Sequence, residues 1–303
     1  MKSQHLQDTA LRYFLEVVRC GSISEASQRL NVASSAISRQ ISSLEEMLDT
    51  VLFERRPRGM VLSAGGEMLA AHAQKVALEA DRVVADLQAL KGLRSGRVRI
   101  AASEGFSIDF LPRLINAFQK KYPGFVFQVF VGPPAAVSRQ VREGNADIGL
   151  TFTRLPEAEI KVVHRQPGPI FLVMRHDHPL SRFKQVSLSQ LHPYPMALPD
   201  PTTTLRQLFD IACSRQQVVI EAVMTSNYIQ TLHNYLVDND ALSITGEVTV
   251  RYRTAAGELT IRPIRDCPTD GRFIEVQTLA GRTLPRSVDI FLEYLLAELS
   301  KDM

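Results

Sequence analysis

At 303 residues, 45% of them apolar and 22% charged, the chain has the size of a two- or three-domain globular protein with ordinary cores. No stretch approaches the ~20 uninterrupted apolar residues of a membrane span. The first residues lack the basic-then-apolar layout of an export signal, and Cys20, Cys213 and Cys267 lie far apart without a CxxC, so no disulfide framework, no metal site and a cytoplasmic location are expected. Net charge is +3, and residues 1–63 carry eight Lys/Arg against seven Asp/Glu, so any attraction to phosphate has to come from local placement.

Leu11, Phe14, Leu15 and Val18 recur at helical spacing, which predicts an amphipathic helix over 9–19 ended by Gly21. Ser22 to Glu25 has the spacing of a capping box, with a short helix over 24–30 behind it. Asn31-Val32 makes a tight break before a third helix, Ala33 to Met47, whose Ile37, Ile41 and Leu44 face inward; small Ala26 allows two helices to cross closely. Helix, short turn and second helix is the order of a helix-turn-helix. The outward face of the third helix carries Ser34, Ser35, Ser38, Arg39 and Ser42. Short hydroxyls and one guanidinium let a helix lie deep in a major groove and reach base edges or phosphates; a serine-rich solvated face would show the same residues. Residues 51–55 and 60–62 read as two strands joined by Arg56-Pro57-Arg58-Gly59, which has turn chemistry. Arg55, Arg56 and Arg58 then crowd a hairpin tip, a wing suited to phosphate or the minor groove.

Leu11-Arg12-Tyr13-Phe14, Gly21-Ser22, Ala26, Ala36-Ile37-Ser38-Arg39-Gln40-Ile41, Leu44-Glu45, Leu52-Phe53-Glu54-Arg55 and Leu62-Ser63-x-x-Gly66 together resemble the amino-terminal signature of LysR-type transcriptional regulators, almost continuously over residues 6–66. The resemblance implies a winged helix-turn-helix over 1–66 that binds double-stranded promoter DNA, with RNA polymerase as a further partner there. Where many members have Ser-Gln-Pro at the start of the recognition helix, this chain has Ala33-Ser34-Ser35, which removes the usual Gln base contact and points to a different operator.

Leu69, Val76, Val83 and Leu90 fall seven apart, with Ala73, Ala80 and Leu87 four residues after the first three, an a/d seam in a helix over 67–92. Ser63 is expected to cap this helix, and Gly92 with Ser95-Gly96 to end it. Such a seam suits pairing with a second copy or packing on the chain's own domain. The resemblance implies dimerisation through this linker, built up to a tetramer, with two recognition helices about one DNA turn apart.

Beyond Gly96 the periodicity changes. Val98–Ala102, Phe125–Val131 and Asp147–Phe152 read as strands, with helices over 109–121 and 135–144 between them; a βαβαβ run of this kind gives a parallel sheet covered by helices. A second αβ set runs from Ile170 to about Ile264, and a strand over 273–278 and a helix over 285–299 close the chain. The order resembles the two-lobed, type 2 periplasmic-binding-protein-like effector domain of LysR regulators over 97–303, with lobe I at 97–165 and 270–303 and lobe II at 168–265. The fold class is α/β.

In open parallel sheets ligands sit beyond the carboxyl ends of strands, where helix amino termini offer free N–H groups. Those places hold Ser103, Phe106 and Ser107 after the first strand, Thr153 after the third, and Thr202, Thr203 and Ser226 in lobe II. The resemblance implies a small effector, often an anion, between the lobes at these loops and no other cofactor; each hydroxyl alone is equally suited to capping its own helix. Glu104 puts a carboxylate at the mouth, which disfavours an anionic effector if it faces the ligand and has no bearing on it if it points outward. Where relatives carry glycines and a later proline, Asn239-Asp240-Ala241-Leu242 and Gly246 stand, and Asn239 is expected to adopt the left-handed backbone of a glycine. Pro133 replaces a hydroxyl that often touches effector. His176-Asp177-His178 could suggest metal, yet consecutive ligands at one strand end rarely converge. Cys213 reads as a buried, inert thiol. No GxGxxG, Walker A, GxSxG or HExxH occurs, so no catalysis is expected, and the amino-terminal module argues against a solute-binding protein.

Overall fold

The computed structural model describes residues 6–56, 59–90, 95–153, 157–267 and 271–300, the side chain of Arg55 excepted. The chain divides into two units, Met1–Leu93 with Arg282–Asp289, and Arg94–Gly281 with Ile290–Met303.

In the first unit, α1 (Thr9–Cys20) begins at Asp8, whose carboxylate accepts from the backbone N–H of Ala10 and Leu11, and ends at Gly21 in the left-handed conformation. The helix α2 (Ile23–Leu30) is capped by the Ser22 hydroxyl. The second arm of the expected capping box is not made, because Glu25 pairs instead with Arg29 at 2.6 Å. Asn31, at φ 54°, turns the chain into α3 (Ser34–Leu48). Strands β1 (Phe53–Arg56) and β2 (Gly59–Leu62) form the antiparallel wing, and α4 (Ala64–Ala89) follows, capped by Ser63. Phe14, Val17, Ala26 and Ile37 are fully buried at the centre, joined by Ile41, Leu44, Leu52 and Phe53. Glu45 on α3 accepts from the N–H of Leu52 at 2.8 Å, and the N–H of Met60 donates to Gly21 O at 2.8 Å, so the wing is tied to α3 and to the end of α1.

The heptad seam on α4 is divided in use. Leu69 and Ala73 pack with Ala70 and Ala77 into the winged core, Val76 is half-buried and Ala80 buried. Val83, Leu87 and Leu90 are 36%, 52% and 82% exposed. The first half of the seam packs on the chain's own domain, and the second half is exposed.

The second unit holds a five-stranded sheet in the order β4-β3-β5-β12-β6: β3 (Ser95–Ala102), β4 (Gly124–Val131), β5 (Ile148–Thr153), β6 (Ile160–Pro167) and β12 (Phe273–Leu279). The pairs β3–β4 and β3–β5 are parallel, as the βαβαβ reading requires, whereas β12 runs antiparallel to β5 and β6. Ser95 and Gly96 pair with Gly124 and Phe125, so they open β3 rather than end the linker; Gly92 lies outside the described residues. Helices α5 (Glu104–Ser107), α6 (Phe110–Lys121), α7 (Pro134–Arg142) and α11 (Arg286–Leu299) belong with this sheet, and Phe118 of α6 meets Phe291 of α11 edge-on. The other lobe has β7 (Ile170–Arg175) between antiparallel β10 (Ser243–Gly246) and β11 (Leu259–Pro263), beside a parallel pair, β8 (Met196–Pro199) and β9 (Ala222–Ser226). Helices α8 (Thr204–Arg215), α9 (Ile229–Val237) and α10 (Glu247–Ala255) complete it. Asn239 does not take the left-handed backbone expected of it. Its side chain closes the turn instead, donating to Tyr235 O and accepting from the N–H of Ala241 at 2.8 Å.

Candidate DNA-reading face and effector cleft

Burial of Ile37, Ile41 and Leu44 fixes which side of α3 faces water. Ser35, Arg39 and Ser42 lie on that side and are exposed, and Ser38 is half-buried between them. Ser34 is exposed too, but its hydroxyl donates to Ser27 on α2 at 2.9 Å, bracing the helix-turn-helix. Arg39 Nε reaches only Ser35 O, at 3.4 Å, one turn back on its own helix. On the wing, Arg56 pairs with Glu54 at 2.8 Å, both well exposed, a contact of little net strength in water. Arg58 and the side chain of Arg55 lie outside the described residues.

Between the lobes of the second unit is a cleft of about 460 Å³. Of the residues expected there, Ser103, Thr202, Thr203 and Ser226 line it. Phe106, Ser107 and Thr153 do not. Phe106 is fully buried, stacked on Phe152 with centroids 4.6 Å apart; the Ser107 hydroxyl donates to Glu104 O; Thr153 is buried at the end of β5. The lining hydroxyls also serve their own backbone. Thr203 accepts from the N–H of Arg206 at 3.3 Å, Ser226 from Tyr228 at 3.0 Å, and Thr202 donates to Asp200 at 2.6 Å, which holds the Asp200 carboxyl below its ordinary pKa. Ser103 shares a hydrogen bond of 3.0 Å with buried Thr151.

Two charged groups define the electrostatics. Glu104, from the sheet lobe, accepts from the N–H of Ile229 at 2.7 Å, so its carboxylate spans the cleft and caps α9 of the other lobe. Burial raises its pKa, opposed by hydrogen bonds from the backbone of Ile229 and Gln230. Arg272, just before β12, was not anticipated from the sequence. It is 4% exposed, sits 3.9 Å over the Phe152 ring and donates to Gly168 O at 2.7 Å. Desolvation lowers its pKa to about 9, which leaves it charged at neutral pH. Gly105 and Phe152, in the same strand-end loops as Ser103 and Thr153, also line the cleft, as do Gly246 and Thr249, which the strand-end rule does not reach.

Elsewhere, His178 accepts from the N–H of Leu180 at 3.1 Å and caps a short 3-10 turn, a structural use for the histidine of the His-Asp-His run. Cys213 and Cys267 belong to one core, and burial pushes both thiols up to about 11, far from the thiolate form.

Two family models match the chain: the bacterial regulatory helix-turn-helix of the lysR family over residues 9–67, and the LysR substrate binding domain over residues 91–300. The RuBisCO operon transcriptional regulator of Acidithiobacillus ferrooxidans is 24% identical over 299 residues, 98% of this chain and 96% of that protein. Among solved structures, a full-length OxyR variant from Pseudomonas aeruginosa superposes with a TM-score of 0.68 at 20% identity, covering 95% of this chain and 96% of the other. The regulatory domain of CcmR from Synechocystis PCC6803, in complex with 2-PG, gives 0.56 at 24% identity over 69% of this chain and 99% of its own.

Proposed function

The chain belongs to the LysR family of transcriptional regulators, and from that premise we propose how its residues divide the work. Promoter DNA is read by Ser35, Ser38, Arg39 and Ser42 on α3, with Ser34 bracing the helix and Arg55, Arg56 and Arg58 of the wing on phosphate or the minor groove. The observation that carries this is the exposed hydroxyl-and-guanidinium face of α3, opposite the buried Ile37, Ile41 and Leu44. Two copies pair through the exposed part of the linker seam, Val83, Leu87 and Leu90, and pairs build up to a tetramer. Residues 1–66 act as the DNA head, 67–92 as the pairing helix and 97–303 as the sensor. The protein works in the cytoplasm with RNA polymerase as its partner at the promoter, and it carries out no catalysis.

The sensor site is the interlobe cleft, with Ser103, Thr202, Thr203 and Ser226 among its walls; that the similar CcmR regulatory domain is in complex with 2-PG supports a small-molecule sensing role for this domain. Because Glu104 already links the lobes, an effector that displaces or reinforces that link changes lobe closure and so the spacing of the paired heads. Gel retardation of the region upstream of the chain's own gene tests the DNA assignment across a salt series. Wild type is expected to bind with steep salt dependence, Arg39→Ala to lose about 1–3 kcal/mol of sequence discrimination, and Arg56→Ala to weaken all sequences evenly and reduce the salt slope by about one. Equal binding by wild type and Arg39→Ala would remove α3 from the reading role.

A further inference from the structure

One side chain of α3 holds the base of the wing. The helix ends at Asp49 in the left-handed conformation, and Thr50, Val51 and Leu52 lead straight into β1. Glu45 answers this junction twice. Its carbonyl accepts from the N–H of Thr50 at 3.0 Å, and its carboxylate Oε1 accepts from the N–H of Leu52 at 2.8 Å and from that of Phe53 at 3.4 Å. A carboxylate receiving two backbone donors makes charge-assisted bonds, the stronger kind. Among the described residues, the side-chain hydrogen bonds from α3 to the wing are those of Glu45. Ser42 and Ser38 stand three and seven residues before Glu45, so helical spacing places all three on one flank of α3, beside the reading face.

What this fork controls is an angle. From Leu52 to Arg56 the strand spans about 13 Å, so a swing of about 10° at its base moves the tip by about 2 Å. A charge-assisted bond from guanidinium to phosphate is made at about 2.8 Å and does not survive such a displacement. The other ties of the wing, the Met60 N–H on Gly21 O and Phe53 against Phe14, run to α1 and its end rather than to the reading helix.

We propose that Glu45 is a positioning residue for DNA binding: its carboxylate sets the wing against α3, so that Arg56 meets the backbone while Arg39 and its serines lie in the groove. This rests on the assignment of α3 and the wing to DNA. The direction of the effect distinguishes a strut from a charge. Glu45 is an anion in a head that approaches phosphate, so on charge alone its removal tightens binding. As a strut, its removal weakens binding.

The test is a fluorescence-anisotropy titration of the full-length chain across a salt series. The probes are a duplex from the region upstream of its own gene and a scrambled duplex of the same composition. Glu45→Ala should bind both more weakly than wild type and flatten the salt slope by about one or more, as the wing leaves phosphate. Glu45→Gln removes the same charge, keeps an acceptor oxygen and should bind at least as tightly as wild type. Arg56→Ala should flatten the slope by about one in the wild-type background and leave it unchanged in Glu45→Ala. Arg39→Ala should lose the same discrimination between the duplexes in both backgrounds, within about twofold.

Tighter binding by Glu45→Ala, equal binding by the Ala and Gln variants, or a full Arg56 effect in the Glu45→Ala background overturns the proposal. Loss of stability alone lowers the fraction of competent heads and leaves the Arg56 effect whole, so it counts among the overturning results. Wild-type binding untouched by both Arg39→Ala and Arg56→Ala overturns the DNA assignment and the proposal with it.

Discussion

His233 on α9 is fully buried, and neither ring nitrogen has a hydrogen-bond partner among the described residues. Desolvation, aided by the charge of Arg253, lowers its pKa to about 3, against about 6.5 for an exposed histidine. Below pH 6.5 the unfolded chain therefore binds a proton that the folded chain refuses. Stability is full above pH 6.5 and falls on acidification, by roughly 1.4 kcal/mol per pH unit, until the folded form protonates as well. Between pH 6.5 and 4.5 this single side chain should cost about 2 kcal/mol. His233→Leu keeps the apolar packing between Leu232 and Leu236 and removes the proton site. The chain has no tryptophan, so urea unfolding is best followed by far-UV circular dichroism. Wild type and His233→Leu should differ little in pH slope above 6.5 and diverge below it, the variant losing about 2 kcal/mol less between pH 6.5 and 4.5. Parallel curves across this range would refute the reasoning, since other titrating groups are common to both proteins.

Three further outcomes follow from specific contacts. A Cβ at Gly59 would stand 2.5 Å from Gly21 O at a backbone φ of 122°, so Gly59→Ala should break the Met60–Gly21 tie and destabilise the winged unit by more than about 1 kcal/mol, read by chemical denaturation together with DNA affinity. Glu104→Ala should free the N–H of Ile229 and speed its amide hydrogen exchange by at least about tenfold, while Glu104→Gln, which keeps an acceptor, should fall between. Val83→Glu with Leu87→Glu places like charges across the exposed seam and should yield monomers in sedimentation velocity with weakened operator binding; a persistent dimer would move the pairing surface elsewhere.

Much of the amino-terminal unit was legible because its signals are local. Gly21 and Asn31 announce helix ends, Ser63 a helix start, and the three-to-four spacing of Ile37, Ile41 and Leu44 tells which side of α3 is left to water. The tie from the Ser34 hydroxyl to Ser27 was not legible because the partner lies on another helix. The cleft was legible where a strand-end rule applies, at Ser103, Glu104, Pro133, Thr202, Thr203 and Ser226. Phe106 was drawn in by position, although its ring belongs to the core. Arg272 gave no signal: an arginine before an apolar strand is ordinary, and what makes this one unusual comes from Phe152, Gly168 and Gly246, brought together only by the antiparallel addition of β12 beside β5 and the return of β10. Local patterns carry elements; long-range convergence carries the site.

The central claim is that two copies of α3 read DNA side by side, and hydroxyl-radical footprinting of the full-length protein on its own upstream region tests it most directly. The account predicts paired protections centred on major grooves about one helical turn apart, or a multiple of that spacing, lost in Arg39→Ala and reduced to weak, unpaired protection in the Val83→Glu, Leu87→Glu variant. An unchanged footprint with Arg39→Ala would contradict it.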